Sequence, residues 1–496
     1  MRGWKLILLG LTAGGAAGSS ACGNTAPRRG GTVLFASGAD LQSINPLLTV
    51  VPLARQVQRY VLLMTLARYD SSLVARPYLA RAWHWSDGGR TLTFELRTDV
   101  RWHDGTATTA RDVVWTLDAA RDPATGYPRH ADLVSVTAVT APNDSTVVLR
   151  FANAPLPPAP HPPAAASIPD VLTDLAIVPA HLLSDVSHAR LREAGWNVKP
   201  IGNGPFRFVL HEPNRRWVFE RNADFPAALG GPPPIERFIV VVVDEPMAKL
   251  SALVAGELDF AGISPQHVAF VRRHTALTVR DYPLIFPYGL VFNTRRPPFD
   301  DPQVRRAAAL AIDRQEIVDG YLFGFASVAD GPVPPGLPGS VTEPVVPSAP
   351  DSARRILAAR GGSSLRFEIL TVGSGEAPLE QMLQAKLSAV GFDVSIRQLE
   401  QSAFLDRVYG PRHEFAAAVM GVPGDPGLSY LQSRGDLTGI AVPHDPIAAQ
   451  RVFAERTPVA WLYHARGVQG MNRRIRGVQM DLRGELPSVA AWRVTP

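Results

Sequence analysis

Arg366-Phe-Glu-Ile-Leu370, Leu379-Glu-Gln-Met-Leu-Gln-Ala-Lys-Leu-Ser-Ala-Val390 and Phe392-Asp-Val-Ser-Ile-Arg397 succeed one another with short breaks. They read as strand, helix and strand. Such a unit needs a crossover, and alternation of this kind argues an α/β architecture with mixed sheets.

The pattern extends outward in both directions. Asp301 is a natural N-cap with Pro302 at the first helical position, and Val304, Ala307, Ala308, Ala311 and Ile312 then make one apolar helical face. Asp313-Arg314 reads as an ion pair at the helix end. Phe238 to Val243 reads as a fully buried strand, followed by a helix from Met247 to Ala255. Arg207–Leu210 and Trp217–Glu220 read as a hairpin. Toward the N-terminus, Gly31–Ala36 and Thr91–Leu96 read as strands, and Leu53–Leu66 as a helical stretch. Thr109 and Asp112 have the spacing of a capping box, and Asp122-Pro123 ends that helix. Ala154 to Pro169 and residues 331 to 350 are proline-rich loops. No internal repeat is evident.

The 496 residues are 46% hydrophobic and 19% charged, so at least two lobes are expected, because single cores stop growing near roughly 250–300 residues. Glycine (41) and proline (45) together stay below the share that marks a low-complexity chain. The net charge of +5 is spread thinly, without a long basic run, which excludes an evident nucleic-acid module. The one cysteine, Cys22, excludes an internal disulfide or a Cys-based metal site.

Cys22 has another meaning. Arg2 and Lys5 precede an apolar or small run from Leu6 to Gly18, too short to span a bilayer, and Ser19-Ser-Ala21 lead to the cysteine. Residues 1–21 thus read as an export signal. The junction resembles a bacterial lipobox, although Ser19 stands where leucine is favoured. The resemblance implies acylation of Cys22 and a tether over 22–30; ordinary cleavage beside an incidental cysteine is the alternative. Either way the mature protein lies outside the cytoplasm, in the periplasm or on the outer face of the membrane.

Catalytic patterns are missing. His103-Asp104 has no second histidine or acidic cluster at ligand spacing and reads as a turn before a capped helix. There is no HExxH, no G-x-S-x-G elbow and no Walker loop. Neither an enzyme nor a cofactor or metal site is expected.

Several segments occur in an order that carries a family. They are Leu79-Ala-Arg-Ala-Trp83 with Ser86 to Arg97, Val100-Arg-Trp-His-Asp-Gly-Thr106, and Thr109 to Trp115. Further on come Gly202-Asn-Gly-Pro-Phe206 with Glu220 to Phe225, and Leu253-Val-Ala-Gly-Glu-Leu-Asp259. The last are Phe292-Asn293 and Pro298 to Arg314. Over about residues 30 to 480 the chain resembles the solute-binding proteins of peptide and nickel ABC importers (family 5).

The resemblance implies a periplasmic-binding-protein-like fold of type II topology: two lobes around a hinge plus an inserted third domain. The first lobe would use 31–58, 181–286 and 468–496, the insert 59–180, and the second lobe 287–467. Hinge crossings would fall near Pro287-Tyr288 and Arg466-Gly467. It implies a monomer that delivers a peptide-like solute to an ABC permease with its ATPase subunits and touches the membrane through its lipid anchor, without nucleic acid. A nickel chelate, sugar or other small solute is the alternative ligand, and an envelope signalling or chaperone protein the alternative role.

For the site, the resemblance points to Gly421, Val422, Pro423 and Asp425. Peptide-binding members carry an aspartate for the α-amino group at the position of Asp425, which otherwise reads as a turn aspartate. Dipeptide binders have tryptophan at the position of Val422 and an arginine for the carboxylate near Ser374, so this chain lacks both. Ser37 and Gly38 would let ligand backbone approach closely, and Tyr288 would stack on ligand or pack inside.

Overall fold

Two long strands, Leu277–Phe292 and Val459–Asn472, organise the molecule by pairing antiparallel from Leu277↔Asn472 to Val291↔Val459. Their register breaks between Pro283 and Pro287. Proline has no N–H to give the ladder, so two prolines four residues apart make the break a consequence of sequence. The expected crossings lie at this irregularity, where Pro283 pairs with Arg466 and Pro287 with His464. The computed structural model describes residues 30–495 except 50, 154–166, 342–345, 361–364 and 444. Cys22, the export signal and most of the proline-rich stretch after Ala154 lie outside the described residues.

On one side of the long pair lie Ala417–Gly421, Leu365–Val372 and Phe392–Leu399, the last two parallel as the opening sequence unit requires. On the other lie Phe260–Gly262, Thr32–Ser37, Arg237–Val242, Arg216–Arg221 and Phe206–Glu212. With Ala326–Val328 paired to the second long strand, the result is one continuous 11-stranded mixed sheet, because the long pair hydrogen-bonds to both halves. A separate four-stranded antiparallel sheet runs in the order Ala80–Ser86, Thr91–Leu96, Thr146–Phe151, Val136–Asn143. Helix Ala110–Arg121 starts at the Thr109/Asp112 capping box and ends at Asp122.

The family segments have structural explanations. Asp112 accepts from Thr109 N (2.8 Å), Ala180 N (2.9 Å) and Trp102 Nε1 (3.2 Å), tying the 100–106 turn to the helix. His103 Nε2 meets Gly204 O at 3.0 Å, and Asp104 accepts from Thr106 N, so this pair is a turn. A Cβ on Gly204 would come 2.6 Å from the Leu62 carbonyl carbon, which leaves room only for glycine. Asp259 is buried and receives a two-pronged Arg474 fork at 2.8 and 2.7 Å, plus Leu34 N at 3.0 Å. The fork locks the C-terminal segment onto the sheet, where Trp492 stacks on Phe260 at 4.7 Å.

Three local readings need correction. The helical stretch from Leu53 ends at Leu62 rather than Leu66, since Leu63 turns extended and Met64 N is taken by Asn203 Oδ1 at 2.9 Å. The 237–242 strand is half-buried, with Phe238 and Val240 inward and Ile239 and Val241 partly exposed, because only one face meets the core. Asp313 caps the next helix by accepting from Glu316 N, while Arg314 turns inward to the carbonyls of Trp461 (2.6 Å) and Val346 (3.0 Å). A buried guanidinium needs several acceptors, and backbone oxygens supply them there in place of the expected ion pair.

The largest apolar core joins Phe35 and Phe238 of the main sheet and Trp492 of the C-terminal segment to Leu92, Phe94 and Leu149 of the small sheet. The four-stranded unit and this half of the large sheet therefore pack as one body. Ile369, Leu383 and Phe392 belong to a different core on the other half.

Candidate functional site

Past strand Ala417–Gly421 the chain turns back over the irregular crossing. Val422 N donates to Pro287 O at 3.0 Å and Gly424 N to Ile285 O at 2.7 Å, so pairing continues through the turn. Tyr288 stacks on Tyr463, with centroids 4.9 Å apart and planes 13° apart, which is the packing arm of its two readings. Burial, with Tyr321 and Glu380 beside it, pushes its phenol up, so it is neutral near pH 7. Gly421 lies against these rings: a Cβ there would come 2.1 Å from Phe286 Cε1. Val422 is fully buried in an apolar cluster with Leu431 and Trp461, whereas Pro423 is exposed.

Asp425 is buried at the base of the turn. Ser429 donates to it twice, from its backbone N (3.2 Å) and its hydroxyl (2.8 Å), so the carboxylate does hold the turn. It is also exposed to a second body. Arg129 Nη2 approaches Asp425 Oδ1 at 4.0 Å, and Leu73 of the N-terminal half packs into the same apolar cluster as Val422. Asp170 lies under Gly427, where an added Cβ would come 2.7 Å from Asp170 Cβ and 3.1 Å from Asp425 Oδ1.

Arg129 collects carboxylates from several directions. It meets Asp132 and Asp170 at 2.6 and 2.9 Å and Asp174 at 3.3 Å. Arg55 and Arg59 both pair with Asp174. Burial alone would raise Asp174, but these three guanidiniums hold it well below the usual carboxylate range. Asp170 goes the other way: burial outweighs the Arg129 charge, and Asp425 and Asp174 add repulsion, so its carboxyl is pushed up.

Ser37 and Gly38 form a separate loop. Ser37 is buried and its hydroxyl donates to Ala39 O at 2.6 Å, while Gly38 is exposed beside Lys249, whose Nζ would lie 3.3 Å from an added Cβ. Asp40 braces this loop by pairing with His211 Nε2 (3.0 Å) and accepting from Trp217 Nε1 (2.8 Å) and Asn214 N (2.7 Å). Burial works against ionisation, but the donors outweigh it and hold Asp40 down to about 2. Ser374 is exposed in the loop after strand Leu365–Val372.

Thus Tyr288, Gly421, Val422, Pro423 and Asp425 form one local unit, with Ser37 and Gly38 on a loop of their own. Arg129, Asp170 and Asp174 escaped sequence reading. The available signal was the spacing Asp170-Val-Leu-Thr-Asp174, which places two carboxylates on one side of a helical turn.

Known proteins place this arrangement. The profile of bacterial extracellular solute-binding proteins, family 5 (middle), matches residues 75–437. Di/tripeptide-binding protein 2 of Pseudomonas aeruginosa is 28% identical over 385 residues, covering 71% of this chain and 68% of that protein. The oligopeptide-binding protein AppA from Bacillus subtilis, solved in complex with a nonapeptide, superposes with a TM-score of 0.78 at 21% identity, covering 95% of this chain and 100% of that one. NikZ from Campylobacter jejuni, solved in complex with Ni(L-His), also gives 0.78, at 20% identity and 94% and 100% coverage. These neighbours share its α/β fold with a large mixed sheet, and the profile spans well over half of the sequence. The chain belongs to the bacterial extracellular solute-binding proteins of family 5.

Proposed function

We propose that this protein is the substrate-binding component of an ABC importer and captures a peptide-like solute between its lobes. The observation that carries the reading is Asp425, a buried carboxylate approached at 4.0 Å by Arg129 from a distant part of the chain; by the family resemblance it takes the place of the aspartate that holds an α-amino group. An ammonium enclosed beside a carboxylate gains a charge-assisted hydrogen bond that water competes with poorly. Tyr288 and Gly421 shape the neighbouring wall, and Ser37 and Gly38 offer the facing backbone. Ser374 stands where dipeptide-binding members carry an arginine for the carboxylate, so the ligand's C-terminus lacks that guanidinium fork and ligands longer than a dipeptide fit best.

The lobes divide as 31–58, 181–286 and 468–496 for the first, 59–180 for the insert and 287–467 for the second. The register break at Pro283–Pro287 supports a hinge there, and the shared apolar core supports an insert that moves with the first lobe. The protein works as a monomer outside the cytoplasmic membrane, held by an acylated Cys22 and passing solute to a permease driven by its ATPase subunits. No helix among the described residues is long and apolar enough to cross a membrane. Binding and release require no bond-breaking, cofactor or metal.

The test is mass spectrometry of ligand co-purified from the native host, followed by calorimetry with that ligand. Peptides recovered unchanged are expected. A sugar or a metal chelate in the cleft would overturn the ligand class. Cys22→Ser should release the protein from membranes, and retention there would overturn the anchor.

A further inference from the structure

The contact between Asp425 and the insert carries one more carboxylate than its arginines balance. Asp132, Asp170, Asp174 and Asp425 surround Arg129, and Arg55 and Arg59 both pair with Asp174. Four negative groups thus face three guanidiniums. The shortfall falls on Asp170. Its side chain is 8% exposed and lies 2.9 Å from Arg129 Nη1, and among the described residues neither carboxylate oxygen has a partner in good hydrogen-bond geometry. Tyr69 is its other polar neighbour, with a phenol that burial and Asp170 itself push up. A buried carboxylate without hydrogen bonds is costly. Asp425 adds like-charge repulsion to Asp170, and a Cβ on Gly427 would meet both, 2.7 Å from Asp170 Cβ and 3.1 Å from Asp425 Oδ1.

Two like charges meet across the lobes, so closure is opposed unless a cation joins them. Arg129 does so in part, at 2.9 Å from one and 4.0 Å from the other. An ammonium has three donors in a compact head. It suits the under-satisfied oxygens of Asp170 and the Oδ1 of Asp425, which accepts a long 3.2 Å hydrogen bond from Ser429 N. We infer that Asp170, on the insert, is the second carboxylate of the ligand's ammonium seat, so that a free α-amino group is gripped by one carboxylate from each side of the cleft. The inference rests on the peptide-like ligand proposed above and adds a specificity residue from the other body. A cationic group then both satisfies Asp170 and removes the repulsion that resists closure, which makes a free amino terminus a condition for tight binding rather than one contact among many.

The experiment uses the full chain with a mixed-sequence tripeptide pool and the same pool N-acetylated, read by mass spectrometry of retained peptides and calorimetry of the best binder. For Asp170→Asn, affinity for the free-amine peptide is expected to fall tenfold or more, while the acetylated analogue binds both proteins equally. The thermal midpoint should hold or rise, since a neutral amide replaces a desolvated charge. Asp170→Ser is a second variant with the same expected split. Equal losses for free and acetylated peptides, or no loss for either, overturn the seat. If Asp425→Asn loses the free-amine peptide and Asp170→Asn does not, the seat falls and the peptide reading stands. If the unmodified protein retains no peptide from either pool, both fall.

Discussion

Two carboxylates in this protein meet arginine in opposite ways. Asp259 is enclosed within one body, held by the Arg474 fork at 2.8 and 2.7 Å and by Leu34 N. Asp425 lies between bodies, 4.0 Å from an Arg129 that is already shared among three other carboxylates. The first pair is complete and fixes the fold. The second is incomplete, and in the proposed cleft an incomplete contact is what a ligand can exploit.

Breaking the complete pair should have the largest effect. Arg474→Ala removes both prongs of the fork from the buried Asp259 carboxylate, and removing one partner of a buried ion pair costs about 3–5 kcal/mol. Denaturant unfolding should show that loss; an unchanged midpoint would erase the contrast.

Asp425→Ala should act on the other side of the comparison. Loss of a hydrogen bond to a charged group is worth about 1.5–3 kcal/mol, or roughly ten- to hundredfold in affinity for a free-amine peptide by calorimetry. The unfolding midpoint should move far less than for Arg474→Ala. The reverse pattern would make Asp425 a turn residue alone.

Two glycines sharpen the same division. In Gly204→Ala the new methyl meets the Leu62 backbone within one body, where no motion relieves it, and about 1–3 kcal/mol of stability should be lost. In Gly427→Ala the methyl meets Asp170 across the cleft. Opening relieves that contact, so affinity should fall with little change in unfolding, and small-angle scattering should show a larger radius with ligand present. Equal unfolding losses in both variants would argue that the cleft does not open there.

The smallest effect is a pH dependence whose sign separates two aspartates. Asp40 titrates at about 2 when folded, against about 3.9 unfolded. Its contribution is therefore complete above pH 4 and lost as pH falls toward 2; Asp40→Asn should flatten that limb of a thermal-midpoint profile. Asp170 is raised when folded, so its ionisation costs stability as pH rises above the unfolded value, and Asp170→Asn should remove that loss. Matching profiles for the two variants would show that both carboxylates sit in equivalent surroundings.

Much of the scaffold could be read in advance because its signals are local. The capping box at Thr109/Asp112 and the Asp301-Pro302 helix start depend on residues a few positions apart, and both form as their spacing requires. Arg314 misled because a helix-end arginine is an ion-pair signal only at the surface, and its burial is set by Val346 and Trp461, far along the chain. The half-burial of strand Arg237–Val242 escaped for a similar reason: a run of Phe, Ile and Val shows apolarity but not which faces are covered. In the proposed site, Asp425 and Gly421 are singled out by the resemblance of one segment. Val422, however, faces a core, which only its neighbours on other strands reveal.

By itself the sequence determined the elements, the family and the order of the segments, because periodicity, caps and turns act within a few residues. Tertiary structure decided which charges meet. Arg129, Asp170 and Asp425 are far apart in sequence, and nothing in their local patterns pairs them. Their electrostatics arise only when the long strands Leu277–Phe292 and Val459–Asn472 join the two halves of the sheet and Arg129 comes to lie between Asp170 and Asp425. Coulomb energy depends on distance and burial, and both are properties of the fold.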